Sequence, residues 1–456
     1  MSELIVNTIS GLSDLSVGNT TVNSTVNSTS FSIGNTSITG DTLSVGNSTV
    51  NSTSFSIGNT SITGDTLSVG NTTVNSTVNS TSFSIGNTSI TGDTLSVGNT
   101  TVNTSSVAIG NSTVNTAITS SGITQNGLNF KVPKNYIVNP GMRISQENGS
   151  SSSTASGYFT VDQWKISHFQ NGTLTTQQVS SATPGGSENR IRMTVTSADT
   201  SIAAGQYAFL VQPIEGLRTA DLQWGTANAT DVVLRFGFKG PAGTYAVAII
   251  NQDNNRSFVR EFTISGGDAN IDTLQTLTFP GDTSGTWDKD NTSSLKITFT
   301  FAAGSNWQTT PDAWQAGNYR GTASTSNGIG TTSDVFELFD VGLYADPDST
   351  GLAPRFELPH YDTDLAECQR YFCVWHTRWT GVSASANYRY SAPFSYPVEM
   401  RSTPAAGVIS QTNSARYPSS AYAVGINKYG GYAYYTAQSS GGNDAWTVTG
   451  TANARM

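Results

Sequence analysis

Charge is scarce in this chain. Charged residues are 12% of its 456 positions, about half the usual share. No lysine or arginine precedes Lys131, and the formal net charge is −9. A nucleic-acid partner needs a phosphate-neutralising surface, so no such partner is expected. Cysteine is nearly absent. Cys368 and Cys373 are too few for a disulfide framework or a zinc ligand set, and read as two buried thiols of a protein assembled in a reducing cytoplasm. No apolar run reaches 18 residues, so no membrane span is expected. The opening MSELIVNTIS lacks both a basic start and a long apolar stretch and is not read as a secretory signal. The many Asn-x-Ser/Thr triplets are therefore read as turn and strand-surface residues, not glycosylation acceptors.

Catalytic chemistry is equally thin. The histidines are His168, His360 and His376, with no Gly-x-Ser-x-Gly step to support a serine triad. The acidic residues do not cluster as glycan-cleaving carboxylates would suggest, although pairing across a fold is invisible in sequence. Asp288-Lys289-Asp290-Asn291 and Asp346-Pro347-Asp348 offer oxygen ligands but lack a full calcium-loop pattern, and read as polar loops. The expectation is a non-enzyme with no catalytic residue, no metal and no cofactor.

Repetition is what the chain has. Gly-Asn recurs at 18, 34, 46, 58, 70, 86, 98 and 110, in steps of 12 or 16 residues. Units this short cannot bury a core alone and must stack on copies of themselves or of sister chains. Val45, Val50, Phe55, Ile57, Ile62, Leu67 and Val69 follow no helical period. Pairs two apart share a strand face, and the Gly-Asn and Gly-Asp steps between them are turn formers. The 16-residue steps hold an extra Val-Asn-Ser-Thr, an even insertion that keeps residues on their face. Residues 15–130 are thus expected to form a β-repeat shaft, either a single-chain solenoid or a fibre of intertwined chains. A homotrimer is favoured because interlocking removes exposed strand edges.

From 135 to 350 the pattern predicts an all-β, jelly-roll-like sandwich. Strands are expected at Thr173–Val179, Arg190–Val195, Gln206–Gln212, Val232–Phe238, Thr244–Ile250, Ser257–Ile264, Leu274–Phe279, Leu295–Phe301 and Val335–Tyr344, separated by Gly, Asn, Asp and Pro turns. Residues 351–374 read as a linker and a short helix, capped by Asp362 or Thr363, that wedges the sandwich against its neighbour. Residues 375–456 read as a small aromatic-rich β tip. Its rings either fill a core and a trimer seam or stack on sugars through an apolar body and a polar tip. On the second reading the candidate glycan-binding residues are Trp379, Tyr388, Tyr390, Tyr432, Tyr434 and Trp446, with Gly430, Gly431, Gly441 and Gly442 in contact loops.

The chain also resembles a known family. Asn135, Asn139, Ile144, Gln146, Phe159, Asp162 and Trp164 look like the opening of a β-sandwich module of bacteriophage tail-fibre proteins. Pro354, Phe356, Glu357, Cys368, Gln369, Arg370 and Tyr371 resemble its exit, ending in Cys-Gln-Arg-Tyr. Arg355 is inserted there, Pro359 replaces an arginine, and Asp364 replaces a glutamate. Pro397-Val398-Glu399-Met400-Arg401-Ser402-Thr403-Pro404 is similar to a step common at the C-termini of such fibres, and SELIVNTIS to their N-terminal start. The resemblance implies a virion structural protein whose residues 1–14 attach to a tail or head protein and whose tip binds a bacterial surface polysaccharide or lipopolysaccharide. The alternatives are a head or neck decoration fibre without host recognition, and a glycan depolymerase. A trimeric autotransporter adhesin, echoed by Ser106–Asn111, conflicts with the missing signal.

Overall fold

The computed structural model describes the strands between Asp14 and Asn129 as backbone, and residues 133–412, 417 and 420–456 in full. The expected attachment peptide lies, but for Asp14, outside the described residues. Two compact units divide the chain, 1–132 and 133–456.

The first unit is an 18-stranded sheet in which each strand pairs antiparallel with its sequence neighbour. Leu43 lies opposite Val50, Val50 opposite Phe55, Phe55 opposite Ile62 and Ile62 opposite Leu67. One row of apolar positions thus crosses successive strands. At a 16-residue step Leu67 is opposite Val78, and Val78 opposite Phe83, so the inserted residues preserve the row. This is hairpin pairing between neighbours. A solenoid would instead pair successive coils in parallel, the geometry expected for the single-chain form of the shaft.

The second unit contains two face-to-face antiparallel sheets. One runs in the order Phe159–Val161, Trp164–Phe169, Tyr207–Glu215, Ser293–Ala303, Gly243–Asn251, Arg256–Ile264 and Trp314–Ala316. The other runs Thr173–Ser180, Asn189–Ser197, Val335–Ala345, Val232–Lys239 and Thr273–Phe279. Alternating inward residues build the core. Trp164, Phe236, Phe262 and Phe299 meet there, with Phe236 5.0 Å from Phe299 and 5.1 Å from Phe262 by ring centroids.

The helix Tyr361–Gln369 starts after His360 without a side-chain cap and stops five residues short of the expected end, because a strand begins at Phe372. Its Cys368 joins Val138, Ile144 and Tyr371 in a small core. The motif residues sit at this junction. Asn139 donates to the Ile144 and Asp162 carbonyls, and Gln146 donates to the Asp162 carboxylate and the Phe372 carbonyl. Glu215, 1% exposed, accepts from Arg370 Nε at 2.8 Å, Arg370 Nη2 at 2.5 Å and the Tyr371 hydroxyl at 2.8 Å.

Candidate functional site

Beyond the helix the chain makes two three-stranded sheets. One holds Phe372–Val382, Asn443–Asn453 and Ala405–Thr412; the other holds Arg389–Ser395, Gly430–Thr436 and Tyr422–Asn427. Trp375, Phe394, Met400, Tyr417, Tyr435 and Trp446 fill the space between them. Trp375 stacks on Phe394 at 3.8 Å and 6°.

Strand alternation decides which rings go inside. In Gly430–Thr436, Ala433 and Tyr435 are buried while Tyr432 is 52% exposed. Tyr434 lies on the same outward side. Its cross-strand neighbours are Ser391 and Tyr422, and those of Tyr432 are Pro393 and Val424. Two outward rows result, Ser391–Tyr434–Tyr422 and Pro393–Tyr432–Val424. Tyr422, 57% exposed, stacks against Tyr434 at 5.6 Å and 27°. The Arg389 guanidinium sits 4.8 Å from the Tyr434 ring. The outcome is a flat, solvent-facing apolar surface with phenol hydroxyls and a cation at its edge, suited to the C–H face of a sugar ring.

The six residues singled out from the sequence do not share one site. Tyr432 and Tyr434 lie on this outer face. Tyr388, Tyr390 and Trp379 gather on the other side of the sheet. There Trp379 is half-buried, 5.2 Å from Tyr390 and 5.9 Å from Tyr417, and Tyr390 accepts the Ser385 N–H. Tyr388 is exposed, 5.5 Å from Tyr390. Trp446 is corrected outright: it is 0% exposed and packed on Tyr435 at 4.9 Å, so no ligand reaches its ring. Gly430 and Gly431 are corrected too, since they open a strand. A Cβ on Gly430 would lie 2.1 Å from the Phe394 carbonyl oxygen. Tyr422, Val424 and Arg389 were missed. The alternation of Tyr422 with Val424, opposed to Tyr432 and Tyr434, is the signal that would have found them.

Two acidic loops close on themselves. Asp346 accepts from the Thr350 N–H and hydroxyl and the Gly351 N–H, and the exposed Asp290 accepts from Thr292, so each loop read as a possible oxygen-ligand source uses one carboxylate to close a turn. A cleft of about 640 Å³ lies between the helix and the tip, lined by Arg218, Glu367, Arg370 and Glu399 among others. Its cations are paired, Arg218 with Glu367 at 3.1 Å and Arg370 with Glu215.

No family model and no curated protein matches the chain. Among solved structures it is similar to the carbohydrate-binding module TmCBM61 in complex with beta-1,4-galactotriose, at 12% identity and TM-score 0.25 over 47% of this chain and 99% of that one. It is similar to the enzymatically active domain of bacteriophage CBA120 tailspike protein 4, at 14% identity and TM-score 0.25 over 43% of this chain and 21% of that one. A family 11 carbohydrate-binding module of Clostridium thermocellum gives 15% identity and TM-score 0.23 over 44% and 97%.

Proposed function

We propose that this chain is a structural, adhesive subunit of a tailed-phage virion, a homotrimer whose C-terminal tyrosine face binds a host surface glycan. The observation that carries the binding role is the uncovered outer sheet face bearing Tyr422, Val424, Tyr432 and Tyr434. An apolar patch left in water with hydroxyls around it marks an interaction surface. The rings supply flat contact, and the phenols and Arg389 supply hydrogen bonds to sugar hydroxyls. Three copies on one particle would convert a weak site into firm attachment through effective concentration.

The virion role draws on the tail-fibre motifs and the N-terminal repeats. The motif residues Gln146, Arg370 and Tyr371 tie the sandwich to the chain that leads into the tip, a task for a part that must present its end rigidly. The proposal assigns no catalytic step. Its test is adsorption: purified full-length protein and purified 133–456 are offered to host cells in competition with intact virions. Both are expected to block adsorption. If neither does while virions adsorb, the chain is not the adhesin, and gold labelling of its C-terminus on particles then decides for a head or neck decoration.

A further inference from the structure

The sheet of the first compact unit has two unlike faces. In an antiparallel pair, directly opposed residues lie on the same face, so the register sorts the strands into rows. One row runs from Leu15 to Ile123 and takes one residue from each of seventeen successive strands, every one Val, Leu, Ile or Phe. The residues one step along each strand belong to the opposite face. Their row runs from Ser16 to Thr101, and every member is Ser or Thr. None of the strands between Asn23 and Asn129 carries a charged residue.

An apolar sheet face is stable when a second layer covers it. The described strands of this unit supply no such layer, because all of them belong to one sheet. Seventeen strands about 4.8 Å apart make a strip about 75 Å long, and strands of about four residues make it about 13 Å wide. The apolar face therefore offers on the order of 1,000 Å² per chain, where a stable association needs about 800 Å² per partner. A covering surface must repeat at the strand spacing over that whole length and bring no like charge to the contact. The same face of another copy meets both conditions.

We propose that three copies of this chain pack these apolar faces together, in register, as the core of the shaft, with the Ser/Thr rows outside. Backbone pairing stays within each chain, so the copies lie side by side and exchange no strands, unlike an intertwined fibre. This rests on the homotrimer proposed above and goes beyond it: it names the face that joins the copies and the face that meets water. Association supplies the missing layer, and the β structure of the first unit depends on it.

Sedimentation equilibrium of the full chain, combined with far-ultraviolet circular dichroism, tests this with matched substitutions on the two faces. Phe55→Gln/Phe83→Gln alters the apolar row, and Ser56→Gln/Ser84→Gln the hydroxyl row. Wild type and the serine pair are expected to sediment as trimers. The phenylalanine pair is expected to dissociate at a concentration at least tenfold higher than wild type does, with loss of β signal. Its tryptophan fluorescence should not change, because every tryptophan lies in the second unit. Single cysteines locate the contact independently. Val50→Cys is expected to form interchain disulfides on oxidation, and Thr49→Cys, on the opposite face, is not; the native Cys368 and Cys373 are buried. A trimer indifferent to the phenylalanine pair, or equal cross-linking of the two cysteine variants, overturns this interface and leaves the homotrimer standing. A monomeric wild type overturns both.

Discussion

At Gly450 the tip has no room for a methyl group. A Cβ there would lie 2.2 Å from the Gly407 carbonyl oxygen and 2.2 Å from the Trp375 ring. Gly450→Ala must therefore push Trp375 off Phe394, and overpacking of this kind costs about 2 kcal/mol. Thermal melting followed by near-ultraviolet circular dichroism should show the loss; an unchanged midpoint would mean the stack is not as tight as described. Asp162 gives a pH signature. Burial pushes its carboxyl up to about 6 against the pull of Gln146 and Arg455. A raised carboxyl favours the fold when protonated, so this contribution is full below about pH 4 and is lost as pH rises through 6. Wild-type stability relative to Asp162→Asn should fall by about 2 kcal/mol between pH 4 and pH 7, since the unfolded carboxyl is already more than half ionised at pH 4. Paired urea titrations at the two pH values check it, and a pH-independent difference contradicts it.

At the scale of the element, the lock between sandwich and tip is Glu215 with Arg370 and Tyr371. Arg370→Ala leaves the Glu215 carboxylate, 1% exposed, with the Tyr371 hydroxyl alone. Breaking such a pair from one side costs about 3 kcal/mol. Arg370→Lys should restore only part, since a lysine cannot donate from a planar fork; urea unfolding read by tryptophan fluorescence measures both. Much of the architecture was legible. All nine strands expected in the sandwich lie within a few residues of the observed limits, because apolar alternation and Gly/Asn/Pro turns mark them. The strands Phe159–Val161, Trp164–Phe169 and Trp314–Ala316 are not among the nine: Trp164–Phe169 mixes Lys, Ser and His into its pattern, and the other two, at three residues each, are too short to show one. Which ring faces water was less legible. Thr447, Thr449 and Thr451 alternate with Trp446, Val448, Gly450 and Ala452, so the phase of the threonines already placed Trp446 inside. No such contrast exists around Tyr432 and Tyr434, whose neighbours Gly431, Ala433 and Tyr435 are themselves small or aromatic.

At the scale of the whole molecule, all eight tryptophans lie beyond residue 133, so their fluorescence reports on the second compact unit alone. Deleting residues 46–69 joins Val45 to Gly70 and keeps the repeat in phase. That variant should retain the wild-type fluorescence transition and lose β signal in far-ultraviolet circular dichroism in proportion. Deleting 46–68 shifts the phase by one and should disturb pairing across the junction, seen as a larger loss of β signal. Adhesion by this molecule turns on the tyrosine face. Isothermal titration of full-length wild type and Tyr422→Ser/Tyr434→Ser with purified host surface polysaccharide and lipopolysaccharide tests it most directly. The account predicts that wild type binds and that the folded variant binds at least tenfold more weakly, a loss of about 1.4 kcal/mol or more; equal binding by the two proteins would contradict it.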